Sequence, residues 1–332
     1  MAEVDVVCMG EALVDFLPAS RGQRVREVKT WHPCLGGAPA NVSVGLARLG
    51  AKAALVGVVG ADEFGSFLKE GLAREGVDVS RLRQTEAGRT GLGFVSLTKQ
   101  GERSFTFYRT QAAETFFDAR DTRAARGLFA KTRVLHVGTN WLVAPKARAA
   151  VLEAMRRARA QGRITSTDPN LRLHLWPDPR PLQRLLGQLL STCAIVKLSQ
   201  EETAFVTGAR KPERALEWLE ARGVVLGVVT LGEEGAVLRF RGETRRVLAR
   251  RVPVVDTTGA GDGFTAGLLY GLTRQYASRA ELEKGDLDAI EGHARFGCVV
   301  GSHAVTKLGA VAGLPTLKGL ASAASSRRRP AK

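Results

Sequence analysis

Short apolar runs alternate with amphipathic stretches along most of this 332-residue chain. Residues 4–7, 54–59, 134–137, 164–167, 194–198 and 224–231 are short β-prone runs, most of them rich in Val, Leu and Ala. That is the pattern of strands buried on both faces, and several end in Gly, Asp or Ser, as parallel strands do where they feed a loop. Between them, residues 38–49, 63–75, 145–161, 212–222 and 261–274 place apolar side chains at three- and four-residue spacing, which predicts helices. The alternation predicts an α/β fold with a mainly parallel central sheet covered by helices on both faces.

Two stretches break this rhythm. Residues 11–33 follow the first strand without a helical pattern. Residues 91–98 and 103–109 alternate as strands on either side of a turn, Lys99-Gln100-Gly101-Glu102. Antiparallel hairpins set into a βα framework predict a small sheet that projects from the main body and covers a ligand. No linker and no internal repeat divides the chain. The expectation is a single domain over 1–320, with lid segments at about 12–35 and 89–115 and a short, basic, disordered tail at 321–332.

Composition changes this picture little. Hydrophobic residues at 44% and charged residues at 25% belong to a folded chain, which excludes a disordered one. The net charge of +16 invites a nucleic-acid reading, but Lys and Arg are spread among acids, and the one dense cluster is Arg327, Arg328 and Arg329 in the tail. The charge would help steer polyanions, and no nucleic-acid partner is expected. Glu3 and Asp5 do not suit a secretory leader, and no apolar run reaches the roughly 18 residues of a membrane helix. A soluble, cytoplasmic protein without a membrane partner is expected. Cys8, Cys34, Cys193 and Cys298 form no CxxC pair and sit among apolar or small neighbours, so they read as buried free thiols, ahead of a disulfide or zinc site.

The most informative segment is Val254-Val255-Asp256-Thr257-Thr258-Gly259-Ala260-Gly261-Asp262-Gly263-Phe264. A short apolar stretch enters a loop of small residues, and an apolar helix follows through Ala266, Leu268, Leu269 and Leu272. Small residues at Gly259, Ala260 and Gly261 let backbone N–H groups approach an anion, and a helix N-terminus adds partial positive charge. Asp262 falls in the first helical turn, where it could cap the helix or accept a proton from an incoming hydroxyl. Spacing alone weighs these two roles equally. A second segment, Gly36-Gly37-Ala38-Pro39-Ala40-Asn41, opens another helix and places polar Asn41 on an otherwise apolar face. It reads as a helix entrance that contacts a polar ligand. No GxxxxGK[S/T] occurs and no GxGxxG follows the first strand, which disfavours P-loop and dinucleotide-binding readings.

Together, GGAPANVSVGLARLG at 36–50 and DTTGAGDGFTAGLL at 256–269 resemble the two signature motifs of the ribokinase-like (pfkB) family of carbohydrate kinases. GEALVDFLP near the start, TDPNLRLHLWPD at 167–178, VKLSQEE at 196–202 and TLGEEGA at 230–236 follow in the family's order, and only the tail lies outside the resemblance. The resemblance implies an ATP-dependent sugar kinase in which Asp262 is the base and Gly259, Ala260 and Gly261 form the anion hole. It implies sugar contacts from Asp15, Gly36, Gly37, Asn41 and Asp168, and a nucleotide site at Lys197, Thr230, Gly232, Gly235 and Cys298. Cys298 stands where many relatives carry Asn. The family uses Mg²⁺, here expected at Glu202, although Ser199 replaces the Asn of the family's NxxE pattern. An activating K⁺ would be held by Asp256 and by carbonyls of Thr258, Ala304, Lys307 and Gly309, because oxygen-only ligation suits a hard cation.

Within the family, DPNLR followed by LWP, VKLSQEE and Thr306-Lys307-Leu308-Gly309-Ala310 resemble the fructokinase subgroup. The stretch Phe105-Thr106-Phe107-Tyr108-Arg109-Thr110-Gln111-Ala112-Ala113-Glu114 is similar to that subgroup's FxFYRxPSAD and departs from it at Gln111, Ala112 and Glu114. Fructose is the expected acceptor. A 2-keto-3-deoxygluconate kinase is the alternative, because Arg172 or Arg109 could meet a sugar acid. Other pfkB sugar or nucleoside kinases, and a silent sugar- or nucleotide-binding relative, complete the range. The family's lid edges also suggest a homodimer.

Overall fold

The computed structural model describes residues 4–20, 22–97, 103–176 and 178–325. Among them, strands numbered along the chain form two sheets. The larger runs in the order β13 (Glu243–Val247), β12 (Ala236–Phe240), β11 (Leu226–Thr230), β10 (Ile195–Ser199), β9 (Ile164–Thr167), β8 (Thr132–Val137), β1 (Val4–Met9), β4 (Ala53–Gly60) and β5 (Leu82–Thr85). Strands β11 through β5 are all parallel, and β12 and β13 add an antiparallel edge.

The two-period of a strand builds two cores from one sheet. In β1, Val6 and Cys8 join one apolar cluster, while Val7 and Met9 join the other. The first cluster lies under helices Ala38–Arg48, Ala260–Gln275 and Leu287–Ala304, and the second under Pro145–Ala160 and Pro179–Leu190. All eight residues of β4 are buried, which is why it reads as an unbroken apolar run.

The smaller sheet has the order β3 (Trp31–Gly36), β2 (Leu13–Pro18), β6 (Leu92–Leu97) and β7 (Arg103–Tyr108). It contains the two stretches that broke the α/β rhythm, as the sequence predicts. The turn expected at residues 99–102 lies outside the described residues. In register, Asp15 of β2 faces Cys34 of β3 and Gly93 of β6, so the lid carries this carboxylate between two strands.

The sequence pattern missed several elements. Strand β13, with Arg245 and Arg246, reads as polar, as edge strands do, and β12, though apolar, is a run of only five residues that contains Arg239. Helix Leu287–Ala304 is interrupted by glycines that weaken its helical signature, yet two of them, Gly297 and Gly301, serve packing. A Cβ on Gly267 would lie 2.9 Å from Gly297 Cα, so the helices that carry them touch backbone to backbone. The final helix, Leu317–Ser325, continues past residue 320, where the tail was expected to begin. Residues 326–332 of that tail lie outside the described residues. The four cysteines are free, but Cys34 is only half-buried because it sits on the lid's edge strand. Among the described residues no helix is long and apolar enough to cross a membrane.

Candidate active site

Strands β1, β9, β10 and β11 end at Met9, Thr167, Ser199 and Thr230, and the residues just beyond these carboxyl ends converge on one cleft. Open parallel sheets place ligands at this edge because the loops there are free to vary. The cleft has two chambers. A cavity of about 370 Å³ is walled by Glu11, Asp15, Gly37, Asn41, Asn140 and Asp168 and reaches Gly259, Ala260, Gly261 and Asp262. A second, of about 580 Å³, is walled by Gly235, Val254, Phe264, Cys298 and Val305. Both touch Thr230, Gly232, Thr257, Ala260 and Gly261, so the small-residue loop is their common boundary.

Asp256 shapes that loop from beneath. One of its carboxylate oxygens accepts from the Thr258 N–H at 3.0 Å and the Thr258 hydroxyl at 2.7 Å, and the other accepts from the Gly309 N–H at 2.8 Å. Gly259 has φ 78° and precedes helix Ala260–Gln275; a Cβ there would stand 2.8 Å from Ala310 Cα. Only glycine meets both conditions. The Ala260 N–H donates to Thr257 O at 3.3 Å, which engages one of the loop's main-chain donors within the loop itself.

Asp262 does not cap its helix. Gly259 holds the cap position with no side-chain bond, and Asp262 Oδ2 accepts from the side-chain amide of Asn41 at 2.8 Å. This geometry removes the cap from the two roles that spacing left open. Loss of hydration in this buried position pushes the Asp262 carboxyl up to about 7; the Asn41 hydrogen bond, Lys197 and Arg172 pull it down, and Asp168 adds to the rise. A carboxylate that titrates near neutrality is suited to taking a proton.

Across the chamber, Asp168 follows β9 and pairs with Lys197 of β10 at 2.8 Å, both buried. Thr265 donates to the same Asp168 oxygen at 3.3 Å. A Cβ on Gly261 would lie 3.0 Å from Lys197 Nζ, so the ammonium stands directly behind the loop. Asp15 is likewise raised to about 7 by lost hydration, with Arg109 opposing. Its carboxylate fills space that glycines leave: a Cβ on Gly36 would lie 2.3 Å from Oδ2, and one on Gly93 2.7 Å from Oδ1. Gly36 therefore makes room for Asp15 and does not itself line the cavity, contrary to the sequence reading.

Two further expected site residues have partners within the chain. Glu202 accepts from the N–H groups of Ser199 and Leu171, one on each oxygen, in a capping box for helix Gln200–Thr207. It lines neither chamber, and Glu201 faces the cleft instead. Arg109 lines the first chamber, where the sequence reading placed it, and donates from Nε to the buried Glu114 at 2.9 Å. Arg172 stands at the wall and donates to its neighbour's carbonyl, Leu171 O, at 3.2 Å. Thr230 and Gly232 border both chambers, and Gly235 and Cys298 line the second, where the sequence reading placed the nucleotide. Asp256, Ala304, Lys307 and Gly309 lie outside both walls; Thr258 borders the first.

Glu11, Asn140, Asn170 and Phe107 also line the first cavity and were not anticipated. Glu11 had a signal, an acid directly after a buried strand. Asn140 follows β8 by three residues and becomes legible only once strand ends are known to converge. The Oδ1 atoms of Asn41, Asn140 and Asp168 and the Oε2 atoms of Glu11 and Glu114 are buried without a hydrogen-bond partner. Five unsatisfied acceptors in and beside one chamber, with no unsatisfied donor among them, call for a ligand rich in O–H groups.

The family model described as pfkB family carbohydrate kinase matches residues 4–317. The Escherichia coli fructokinase is 39% identical over 308 residues, covering 92% of this chain and 95% of that one. Among solved structures, the Xylella fastidiosa fructokinase with bound ATP superposes with a TM-score of 0.88 at 34% identity, covering 98% of this chain and 99% of that one. A double mutant of the Vibrio cholerae O395 fructokinase, in a form bound to fructose, ADP and potassium ion, gives a TM-score of 0.85 at 33% identity, with 97% and 98% covered.

Proposed function

This chain belongs to the pfkB family of carbohydrate kinases, and from that membership and its two-chambered cleft we infer that it transfers the γ-phosphate of ATP to a primary hydroxyl of fructose. The observation that carries the reading is the position of Asp262, held by Asn41 in the acceptor chamber at the boundary with the second.

The steps follow from the residues present. ATP lies along the second chamber, with its base against Phe264, Cys298 and Val305 and its phosphates directed at the loop. The sugar occupies the first chamber, where its hydroxyls supply hydrogens to the unpartnered oxygens of Asn41, Asn140, Asp168 and Glu11. Asp262 takes the proton as the hydroxyl oxygen bonds to phosphorus and the bond to the ADP oxygen breaks. The Gly261 and Asp262 N–H groups, with Lys197 behind them, meet the charge that develops on the transferring group. Asp15 and Phe107, from the lid, roof the sugar and limit access of water.

The residues fit the family's ions to different degrees. Among the described residues no three His, Cys, Asp or Glu side chains gather as a metal site, which suits a Mg²⁺ carried in by the phosphates. Its role would be to neutralise charge on the β- and γ-oxygens. A K⁺ would sit beside Asp256 with carbonyls of Thr258, Ala304, Lys307 and Gly309, steadying the loop from below. We also place the protein in the cytoplasm, where its four thiols stay reduced. A homodimer through the lid is proposed from its aromatic face, where Phe16 and Phe94 stack at 4.8 Å and Tyr108 is 65% exposed.

A coupled assay comparing fructose with 2-keto-3-deoxygluconate tests the reading. Neutral polyols are favoured because the chamber already contains carboxylates at Glu11, Asp15, Asp168 and Asp262, and the cations Arg109 and Lys197 are paired. Faster turnover of the sugar acid, lost on Arg172→Leu, would establish the acid kinase instead. No turnover with any sugar would mark a silent binding module.

A further inference from the structure

Arg48 ends the helix Ala38–Arg48 and lines neither chamber, yet its guanidinium is fully committed. Nε and Nη2 donate to the two carboxylate oxygens of Glu75 at 2.7 and 2.8 Å, and Nη1 donates to the main-chain carbonyls of Val311 and Leu314 at 2.6 and 2.8 Å. A half-buried ion pair with Glu75 would by itself be an ordinary surface feature. Two carbonyls from a distant segment are not explained that way. The bidentate pair fixes the plane of the guanidinium, and the fixed plane aims Nη1 at those carbonyls.

The segment so held supports the catalytic loop. Ala310 packs where a side chain on Gly259 would be, at 2.8 Å from its built Cβ, and the Gly309 N–H holds Asp256, which in turn holds Thr258. The Ala38–Arg48 helix touches the same assembly at two other points. Asn41 donates to Asp262, and a Cβ on Gly45 would lie 2.7 Å from Ala266 Cβ, so the two helices are in close contact. One rigid helix thus sets the base at one end and, through Arg48, the floor of the anion-binding loop at the other.

We propose that Arg48 is a positioning residue for phosphoryl transfer, keeping residues 309–314 beneath the loop so that its N–H groups stay in register with Asp262. Its loss leaves the Leu314 carbonyl without this donor and Val311 O with only the Leu314 N–H at 3.1 Å, and lets the floor move, while the sugar and nucleotide walls remain in place. Displacements of about 1 Å at a reacting centre cost up to roughly 10²-fold in rate. The proposal rests on the reading of this loop as the site of transfer.

The test is steady-state kinetics of the full chain with ATP and fructose, together with calorimetric binding of ADP. Arg48→Met should lower kcat by about 10- to 100-fold while fructose KM and ADP affinity stay within about threefold, and Arg48→Lys, able to reach one carbonyl, should recover part of the loss. A purely structural role would lower Tm without this split. A kcat within about twofold of the parent, or a loss confined to KM or to ADP binding, would overturn the proposal. If Arg48→Met does not fold, Glu75→Gln, which loosens the guanidinium plane, should lower kcat by about 3- to 10-fold with KM unchanged, and an unchanged kcat there overturns it equally. A parent inactive on every sugar would instead refute the kinase reading.

Discussion

Asn41 donates its side-chain amide to the carboxylate of Asp262 at 2.8 Å, joining residues 221 positions apart in sequence. The bond ties helix Ala38–Arg48 to helix Ala260–Gln275 across the first chamber. It also keeps the Asp262 carboxylate off its own backbone, where it would be an inert cap.

Replacing Asp262 by Asn keeps the shape and removes the proton acceptor. General-base assistance is worth about 10²–10⁴ in rate, so Asp262→Asn should lose that much kcat with little change in fructose KM. Stopped-assay rates at saturating ATP measure it, and a near-normal kcat would remove Asp262 from the role.

The same carboxyl makes stability depend on pH. Its folded-state value of about 7 lies above the unfolded value of about 3.9, so its contribution is present below the latter and is lost as pH rises through the former. Denaturant unfolding should show the Asp262→Asn protein gaining stability relative to the parent between pH 5 and 8. A constant difference across that window would contradict the buried-carboxylate account.

Asn41→Leu deletes a hydrogen bond that favours the ionised form of Asp262, so its value rises further. The acid limb of the kcat profile should therefore move to higher pH, by about one to two units for a charge-assisted bond of roughly 1.5–3 kcal/mol. A limb left in place would mean that another group controls it.

Gly259→Ala combines a left-handed backbone, at φ 78°, with a Cβ that would lie 2.8 Å from Ala310 Cα. The backbone term alone costs about 1–2 kcal/mol. Activity should fall by about 10² or more, with a lowered Tm, and kinetics alongside thermal melts would record both.

Glu202→Gln separates a structural role from a metal role. One of the two backbone N–H groups it serves would face an amide NH₂, a loss of about 1–3 kcal/mol of stability. The Mg²⁺ dependence of the rate should stay unchanged; a large shift in it would restore Glu202 to the metal.

The fold class was legible because its signals are local. Buried strands at 54–59 and 164–167 and the amphipathic helix at 145–161 announce themselves through residue type and period, and those patterns survive in the structure with small shifts at their ends. The glycine loop was legible for the same reason, since positive φ and close approach restrict residue choice within a few positions. Helix Leu287–Ala304 was not, because its glycines pack against another helix that only tertiary structure brings near.

By itself, then, the sequence determined the α/β architecture, the inserted lid and the loop able to hold a phosphate, because each depends on neighbours along the chain. Tertiary structure alone decided that Asp262 accepts from Asn41 rather than capping its helix, that Gly36 serves Asp15, that Glu202 accepts from two backbone amides and that Glu11 and Asn140 share the wall of the first chamber. The physical reason is that hydrogen bonding and desolvation act over a few ångströms in space. Whether a carboxylate is a base, a cap or a strut depends on partners that lie far away along the chain, as Asn41 does from Asp262.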